Sequence, residues 1–415
     1  MYFLIKNIFK LVGGNAFAQI IAFAATPVLT RLYTPEDFGQ FSFFSAVASV
    51  IAILATGRYE FAILLSDSME KTRCLLVVSL GLALLTALAV VTCVTTADYF
   101  VVADSLIFAL PVWVFFLAMA SIFEKISNKE RRYGIISAQK IVTATAAAAV
   151  SIFVGWTNNG SQSSAFGLIA GAIVGPALSV LLVFLVLRKQ TSCLSFASGC
   201  FSTKSVFSTL KLYRHFPAFN LPHAMINTAA GNAPVFLIPI FFADALLGVY
   251  SLGVRVIQAP LSLFVSSLYN VLSQKFFDVR QRGDSLSDLY EKYVKYIFGI
   301  VLFLFPIFWF LEDPMAYVFG AKWSDAGKYI RILSPYLLFV LMVGPFAFVP
   351  VLLGKQRQAL QLEIFASSTK VISLVVGGLT GNFELMLILF SLSGFLIQLW
   401  TLNWYRKLLR SADFE

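Results

Sequence analysis

The sequence predicts an all-α polytopic membrane protein of about twelve transmembrane helices, and three observations lead to this fold class. Apolar residues make up 59% of the 415-residue chain and charged residues only 13%, against about 45–50% and about 25% in soluble domains. Apolar runs of about 20 residues, long enough to cross a bilayer as helices, recur along nearly the whole chain. Because backbone amides in hydrocarbon must be paired internally and the runs are too long for barrel strands, we expect helices.

The candidate spans follow one another with short loops between them. The twelve are 11–30, 38–65, 74–97, 105–123, 135–156, 165–187, 216–242, 245–272, 293–311, 332–353, 359–380 and 384–404. An even number of spans places both termini on the same side of the membrane.

The basic residues indicate which side is cytoplasmic. With the N-terminus inside, every inner loop carries Lys or Arg, from Lys6 before the first span to Arg406 after the last. The outer loops are nearly free of basic residues, apart from Arg31 and the 312–331 loop. Cytoplasmic loops carry an excess of Lys and Arg, so both termini are predicted to be cytoplasmic. The same pattern accounts for the net charge of +10 without a nucleic-acid partner.

An internal repeat suggests two six-helix lobes. Pro-Val-Leu at 27–29 and Gly-Gln-Phe at 39–41 return as Pro-Val-Phe at 234–236 and Gly-Val-Tyr at 248–250. Both copies run in the same direction, from the first to the second helix of a six-helix unit. The lobes are therefore predicted to be related by a parallel pseudo-two-fold repeat, a common arrangement in secondary transporters.

The predicted lobes are 1–190 and 216–415, joined by a cytoplasmic linker at 191–215. Inside the linker, apolar side chains recur at helical spacing opposite Lys204 and Lys211, a pattern typical of a helix lying in the membrane interface. These apolar residues are Val206, Phe207, Leu210 and Tyr213. A solvated basic linker is the alternative interpretation.

Lys370 is a charged side chain in the middle of a predicted span. Such a group costs about 2.5–3.5 kcal/mol in lipid and usually faces protein or a wet cavity. Lys370 lies near the centre of span 359–380, with Ser367 and Glu363 on the same helical face. We interpret Lys370 as a cationic cavity group whose protonation or pairing with Glu363 is coupled to transport. A structural ion pair between helices is the alternative.

Arg255 belongs to a polar stripe of span 245–272. The stripe consists of Ser251, Arg255, Gln258, Ser262 and Ser266, at intervals of three and four residues. Such a stripe must face protein or water. Hydrogen bonding between helices would suit the serines but not a guanidinium in mid-span. Arg255 and Gln258 are therefore predicted to line a translocation path.

Span 216–242 carries a second polar face. Asn220, His223 and Asn227 lie at helical spacing, and the span contains four prolines, so it is predicted to be bent or broken. His223 alone is more typical of a hydrogen-bonding partner than of a metal ligand.

The first two spans also hold polar groups. Asn15 and Gln19 line one face of the first span, and Arg58 and Glu60 interrupt the second. Being two residues apart on a predicted helix, Arg58 and Glu60 are expected to point in different directions rather than neutralise each other. Each then needs another partner or water.

Enzyme and metal motifs are missing from the sequence. It contains no P-loop, no Gly-x-Ser-x-Gly and no His-Glu-x-x-His, and its two histidines with scattered carboxylates do not suggest a metal site. We predict a transporter without cofactor or metal rather than an enzyme.

Two short motifs carry a family resemblance. Residues 29–39 read LTRLYTPEDFG, after a first helix with Gly-Gly-Asn at 13–15, and residues 57–62 read GRYEFA. This opening resembles the Wzx-type O-antigen flippases, in the polysaccharide branch of the multidrug/oligosaccharidyl-lipid/polysaccharide exporter superfamily. Beyond it, the resemblance rests on span count, the two-lobed repeat and sparse membrane arginines.

The resemblance implies a fold, a substrate and a location. Expected are a V-shaped pair of six-helix lobes and alternating access. The substrate would be undecaprenyl-diphosphate-linked oligosaccharide for O-antigen and lipopolysaccharide biosynthesis, moved across the bacterial inner membrane to the periplasmic leaflet. Family members commonly place basic residues in the central cavity. Arg31, Arg58, Arg255 and Lys370 fit this role, the first two by local motif.

The chemistry of this substrate agrees with the predicted polar stripes. A diphosphate with several sugars cannot cross about 30 Å of hydrocarbon unaided and needs cations for its phosphates and amides or hydroxyls for its glycan. The polyprenyl tail can stay in the bilayer. Glu60, Glu363 and Lys370 are the titratable candidates for coupling to an ion gradient, and other glycan-assembly proteins are candidate partners.

Three other functions stay open on sequence alone. A multidrug/cation antiporter of the same superfamily would favour acidic cavity residues, whereas the mid-span charges here are mostly basic. A membrane-embedded glycan polymerase or ligase would want a long periplasmic loop with catalytic residues, and the longest outer loop, about 312–331, is short. A non-transporting scaffold of a glycan-assembly complex is the third.

Overall fold

A computed structural model describes residues 2–100, 105–157, 165–190 and 203–413. All regular secondary structure in these ranges is helical. The helices are α1 (Tyr2–Leu32), α2 (Pro35–Ala55), α3 (Tyr59–Leu65), α4 (Met69–Phe100), α5 (Leu110–Lys129), α6 (Tyr133–Thr157), α7 (Phe166–Gln190), α8 (Thr203–Leu212), α9 (Leu221–Gly231), α10 (Ala233–Phe241), α11 (Asp244–Arg282), α12 (Leu286–Trp309), α13 (Glu312–Phe319), α14 (Ser324–Val343), α15 (Val349–Leu352), α16 (Gln356–Leu379) and α17 (Phe383–Asp413). A π-helical turn, Phe216–Asn220, precedes α9.

The helices agree with the predicted membrane fold. Within the described ranges, ten helices are long and apolar enough to cross a membrane, and an eleventh crossing results if the bent pair Phe216–Gly231 and Ala233–Phe241 is one span. The 31-residue α1 covers the first predicted span. Each of the twelve predicted spans coincides with one or more helices, which confirms the all-α polytopic fold class.

The second predicted span, 38–65, is two helices rather than one. Gly57 and Arg58 have φ angles of 56° and 61°, and the chain turns there between α2 and α3. Glycine adopts this left-handed region without a steric penalty. The 21 residues of α2 extend about 31 Å, enough to cross the hydrocarbon alone. Arg58 and Glu60 therefore follow a complete crossing instead of interrupting one.

The start of α2 is encoded locally. The backbone N–H of Asp37 donates to Thr34 Oγ1 at 3.3 Å, and the backbone N–H of Thr34 donates to Asp37 Oδ2 at 2.8 Å. Pro35 occupies the first turn, where its missing N–H costs nothing. This reciprocal cap begins α2 directly after α1.

Several helices extend beyond their apolar spans. The 39 residues of α11 and the 31 residues of α17 correspond to about 58 Å and about 46 Å, more than the ~30 Å of hydrocarbon. The predicted spans 245–272 and 384–404 mark only the apolar part of each helix. Hydropathy reports where a helix meets lipid and not where its backbone hydrogen bonding ends.

Small residues allow α6 and α7 to pack closely. A Cβ added at Gly171 or Gly175 of α7 would overlap the backbone carbonyl oxygen of Ala147 or Thr143 on α6. Close backbone approach through small residues is a typical way for membrane helices to associate. These two glycines therefore serve packing rather than chain flexibility.

The chain divides into two compact units, Met1–Asn232 and Ala233–Glu415. The first unit contains α1 to α9, and the second contains α10 to α17. Residues 216–232, which the repeat assigns to the C-terminal lobe, pack with the first unit, where α9 contacts α2. The boundary between packing units thus differs from the predicted lobe boundary, and the division of the chain by its internal repeat stays a prediction.

The predicted linker contains a helix, α8, although residues 191–202 lie outside the described part of the chain. Thr209 and Tyr213 are buried, and Leu210 packs partly against the core of the first unit. Phe207 is 71% exposed. The predicted apolar face of α8 is therefore wrong in one respect. Leu210 and Tyr213 lie on the packed side of α8, whereas Phe207 lies on the exposed side.

Candidate functional site

Five charged side chains form a connected group in the first unit. They come from the turn before α3, from α3 itself, from the last turns of α5 and from α6. We call Arg58, Glu60, Glu124, Lys125 and Lys140 the charge cluster. With three cations and two carboxylates, it holds an excess of positive charge.

Arg58 and Glu60 form an ion pair, with Arg58 Nη1 3.8 Å from Glu60 Oε1. The expectation that they point in different directions is wrong, because it assumed an uninterrupted helix. The left-handed φ of Arg58 turns the chain just before α3. This turn brings side chains two residues apart to the same side.

Glu60 is the least satisfied member of the charge cluster. It is only 2% exposed, and its Oε2 atom has no hydrogen-bond partner in the described part of the chain. A buried carboxylate depends on nearby cations and hydrogen bonds to stay charged. Arg58 is the nearest cation, and Lys125 also acts on Glu60. Thr56 and a backbone hydrogen bond also stabilise this carboxylate, so loss of Arg58 removes its nearest counter-charge but not all of its compensation.

Two cations contact the ring of Phe61. Arg58 Cζ lies 4.9 Å and Lys125 Nζ 4.7 Å from the ring centroid. Cation–π contacts of this kind contribute about 0.5–1 kcal/mol each at accessible sites. Phe61 thus positions both cations without neutralising either.

Glu124 connects the remaining two cations. Its Oε1 lies 3.4 Å from Lys125 Nζ, and its Oε2 lies 3.8 Å from Lys140 Nζ. The side chains of Glu124 and Lys140 are 32% and 36% exposed, so this end of the charge cluster is open to solvent. Sequence reasoning missed both residues, although a lysine inside the predicted span 135–156 was an available signal.

Arg255 lies on the side of α11 that its own unit leaves uncovered. Gly253 and Ile257, on the opposite side, are buried, and Gly253 lies against Ala326 and Ile330. The side chain of Arg255 is exposed. Its position is about 16 Å along the helix axis from the start of α11, close to half the thickness of a hydrocarbon core.

The rest of the predicted α11 stripe shares this uncovered side. Gln258, Ser262 and Ser266 are exposed, whereas Ser251 is half-buried and its hydroxyl has no hydrogen-bond partner in the described ranges. The hydroxyls of Ser262 and Ser266 donate to the backbone carbonyls of Ala259 and Leu263 on the same helix. That this stripe lines a path for the substrate stays a prediction.

Lys370 lies beside an aromatic side chain of the second unit. Its Nζ is 5.8 Å from the ring centroid of Tyr336 on α14. The ring of Tyr336 packs edge-on against Phe390 at 5.5 Å and closely over Gly394 on α17. Lys370 is half-buried, so a cation is held at mid-helix by a rigid aromatic neighbour.

No ion pair joins Lys370 to Glu363, although the sequence allowed one. The two residues are two helical turns apart, about 10.5 Å along the axis, which is too far for a direct contact. Glu363 is exposed. The contact of Lys370 with Tyr336 therefore does not involve this carboxylate.

The polar face of span 216–242 is present, and the span is broken as predicted. The break comes at Asn232, with a bend of 50°, and Asn232 Nδ2 donates to the carbonyl of Thr228 at 2.8 Å. Asn220, His223 and Asn227 are all exposed. They offer amide and imidazole groups on one accessible side of the first unit.

The predicted residues of α1 are less accessible. Asn15 and Gln19 are half-buried, and Gln19 Oε1 is buried without a hydrogen-bond partner among the described residues. Arg31 is exposed at the end of α1. Arg31 and Arg58 flank opposite ends of α2, about 31 Å apart along its axis. The two arginines cannot bind one diphosphate together.

Two basic residues of the 312–331 loop region are neutralised. Lys328 pairs with Glu384, and Arg331 Nη2 lies 3.4 Å from Glu312 Oε2. These pairs account for two exceptions to the bias of basic residues toward the predicted inner side. They also provide control positions whose charge is already balanced.

No group of His, Cys, Asp or Glu residues in the described part of the chain could hold a metal ion.

The fold is that of a known class of membrane transporters. The chain is similar to the lipid II flippase MurJ in an inward closed conformation, with a TM-score of 0.70, 14% identity and coverage of 95% of this chain and 86% of that one. It is similar to an inward-facing multidrug resistance MATE family transporter of the MOP superfamily, with a TM-score of 0.65, 14% identity and coverage of 95% of both chains. For a Vibrio cholerae MATE transporter the TM-score is 0.61, the identity 14% and the coverage 99% and 98%.

Residues 28–328 match the family model described as polysaccharide biosynthesis protein. The chain therefore belongs to the polysaccharide biosynthesis protein family, in agreement with the resemblance carried by its first 65 residues or so. A search of curated protein sequences gave no match. At 14% identity, the solved structures show a shared fold and nothing more about this chain.

Proposed function

We propose that this protein is a flippase that moves undecaprenyl-diphosphate-linked oligosaccharide, an O-antigen or related repeat unit, from the cytoplasmic to the periplasmic leaflet of the bacterial inner membrane by alternating access. One observation carries the proposal. The charge cluster holds more cations than carboxylates, next to helices that are long and apolar enough to cross a bilayer.

The charge cluster suits a diphosphate headgroup. Phosphate oxygens form charge-assisted hydrogen bonds with Arg and Lys that are about twice as strong as neutral ones. Arg58, Lys125 and Lys140 can supply such donors, and the first two are positioned by Phe61. The exposed end of the cluster, at Glu124 and Lys140, gives a headgroup access.

Accessible amides and the cations of the second unit support passage of the glycan. Asn220, Asn227 and Gln258 are exposed and can exchange hydrogen bonds with sugar hydroxyls. Arg255 and Lys370 lie within the predicted spans 245–272 and 359–380, away from their ends. An anionic group at that depth most needs a nearby cation to compensate its charge. The polyprenyl chain would stay in lipid.

The orientation follows from the distribution of basic residues. The charge cluster adjoins the inner loop 124–134, which is rich in Lys and Arg, so we assign it to the cytoplasmic side. In the proposed direction of transport the substrate starts on that side and would meet the cluster first. Both termini are then cytoplasmic.

Release of an anion from cationic groups favours coupling to an ion gradient. Glu60 is the stronger candidate because it is buried beside two cations. Glu363 is exposed and Lys370 is partly buried, so a change in the charge of either would be felt less. Other glycan-assembly proteins are the proposed partners.

A multidrug/cation antiporter is the second candidate, because the chain shares its fold with MATE transporters. Cationic drugs would need acidic groups on the accessible polar faces. The polar stripe of α11 carries one cation and no carboxylate. Its members are Ser251, Arg255, Gln258, Ser262 and Ser266. The charges therefore favour an anionic substrate.

The test is translocation in proteoliposomes. Purified protein is reconstituted with a fluorescent undecaprenyl-diphosphate-linked oligosaccharide, and loss of dithionite-accessible label from one leaflet is followed in time. We expect translocation that needs the protein and is reduced in Arg58→Ala but not in Arg331→Ala. Export of a cationic dye without movement of the lipid-linked oligosaccharide would support the antiporter instead.

A further inference from the structure

Glu124 is the one carboxylate of the charge cluster that can leave its place. Each of its oxygens faces a different ammonium, Lys125 at 3.4 Å and Lys140 at 3.8 Å. Both contacts are longer than a strong charge-assisted hydrogen bond, which measures about 2.7–2.9 Å. The side chain is 32% exposed, whereas that of Glu60 is 2% exposed. Solvent can therefore take over the hydrogen bonds of Glu124 when it moves away.

The position of this carboxylate resembles that of a bound anion. Two ammonium groups from different helices, α5 and α6, share one set of negatively charged oxygens. A phosphate group presents the same kind of oxygens with greater charge and can occupy both ammonium groups at once. A phosphate and Glu124 therefore compete for the same donors.

We infer that Glu124 is an internal competitor for the phosphate headgroup: it holds Lys125 and Lys140 in the empty protein and is displaced when a diphosphate binds. This inference rests on the proposed function. It states how headgroup binding at the charge cluster is regulated. Before binding, Glu124 keeps the two lysines in place and limits repulsion between them. After displacement, two ammonium groups face the diphosphate.

The return of Glu124 to Lys125 and Lys140 helps to release the bound headgroup. A transported ligand must bind well enough to enter and weakly enough to leave. A tethered carboxylate that can retake Lys125 and Lys140 lowers the affinity for the headgroup and shortens its stay. Removing this competitor should tighten binding and slow translocation together, an outcome that loss of a ligand or of folding does not produce.

The test compares Glu124→Gln with Glu130→Gln in the purified full-length protein. Glu130 pairs with Arg132 at 3.0 Å, outside the charge cluster, so both variants lose one negative charge from the same region. The probe is inorganic diphosphate, titrated by calorimetry in detergent. We expect Glu124→Gln to bind about three- to tenfold tighter, the range that freeing two partly exposed ion pairs allows, and Glu130→Gln to match the wild type.

Two further arms identify the source of the effect. Adding Lys140→Gln to Glu124→Gln should cancel the gain, since one of the freed donors is then missing. Repeating the titration with undecaprenyl diphosphate in nanodiscs should give the same order of variants, whereas a gain seen only with inorganic diphosphate would mean that the lipid headgroup does not reach this site. That result would overturn the inference.

Other outcomes also overturn it. Equal tightening in Glu124→Gln and Glu130→Gln would indicate a general effect of net charge. Weaker binding in Glu124→Gln would mean that the carboxylate orders the lysines for the ligand. If Glu124→Gln does not fold, Glu124→Asp serves, because its shorter side chain reaches the lysines less well and should give a smaller gain. A wild type that binds diphosphate but never translocates the lipid-linked substrate would instead contradict the proposed function alone.

Discussion

The hydroxyl of Tyr33 donates a hydrogen bond of 2.7 Å to the backbone carbonyl of Ser151, 118 residues further along the chain. The ring of Tyr33 also lies against Gly155 and Gly167, so one side chain joins the end of α1 to α6 and α7. Tyr33 belongs to the motif LTRLYTPEDFG. These contacts explain the presence of Tyr33 in the motif by its structural role, separately from any role in transport.

Replacing Tyr33 by Phe should lower the free energy of unfolding by about 1 kcal/mol, the usual net value of an intramolecular hydrogen bond. Translocation should persist at temperatures where the variant is folded. Thermal unfolding in detergent measures the effect. The matched control is Tyr317→Phe, because Tyr317 is 86% exposed; equal shifts in both variants would show that the Ser151 contact does not stabilise the fold.

The hydrogen bond between Tyr33 and Ser151 also predicts how the stability of the protein depends on pH. Burial, and to a lesser extent the charge of Asp37, raise the pKa of Tyr33 from 10.0 to about 12. Because the folded pKa exceeds the unfolded one, the stabilisation by Tyr33 is complete below pH 10 and is lost as the pH rises through the folded value. The stability advantage of the wild type over Tyr33→Phe should therefore be constant near neutral pH and shrink in alkali, as measured by denaturant unfolding.

Replacing Arg58 by Ala should both destabilise the protein and reduce translocation. The change leaves Glu60 buried without its ion pair, at a cost of about 2 kcal/mol or more, given that Arg58 itself is partly exposed. Adding Glu60→Gln should restore most of the stability because an amide needs no counter-ion. Translocation should stay low in the double variant, since the cation is still missing.

Stability and translocation together decide the role of Arg58. If the Arg58→Ala/Glu60→Gln protein moves the lipid-linked oligosaccharide at the wild-type rate, the pair is structural and Arg58 does not bind phosphate.

Arg255→Ala and Lys370→Ala should each slow translocation by about tenfold or more, because under the proposed function each would remove a charge-assisted contact to the headgroup. The unfolding temperature of Lys370→Ala should change little, since Lys370 is only half-buried. Arg331→Ala is the control, as it breaks an ion pair with Glu312 and a cation–π contact with Trp309. Unchanged translocation in both test variants would exclude these helices from the path.

The exposed side of α8 should lie in the membrane interface. Phe207 and Leu212 are exposed there together with Lys211, a combination that suits lipid acyl chains and anionic headgroups. A spin label at Phe207→Cys, in a cysteine-free background, should be reached more readily by oxygen than by a water-soluble nickel complex. A label at Asp284→Cys, on the exposed turn after α11, should show the reverse order. The same order at both positions would favour a solvated linker.

Some site residues could be predicted and others could not. Asn220, His223 and Asn227 lie within one regular periodic pattern, and their shared exposed side follows from helix geometry alone. The contact between Arg58 and Glu60 was missed because a left-handed turn replaced the expected helix. Lys140 and Glu124 were missed because their contact depends on the packing of α5 against α6.

The sequence by itself determined the solvent of this fold, the order of its apolar helices, the bias of basic residues toward alternate loops and a break within the span 216–242. These features depend on composition, local periodicity and backbone chemistry, which act over a few turns of chain. The tertiary structure decided which charges meet: it joined Tyr33 to Ser151, paired Arg58 with Glu60 and placed Glu124 between two lysines. Such contacts depend on how helices distant in sequence approach one another, and hydropathy carries no information about that approach.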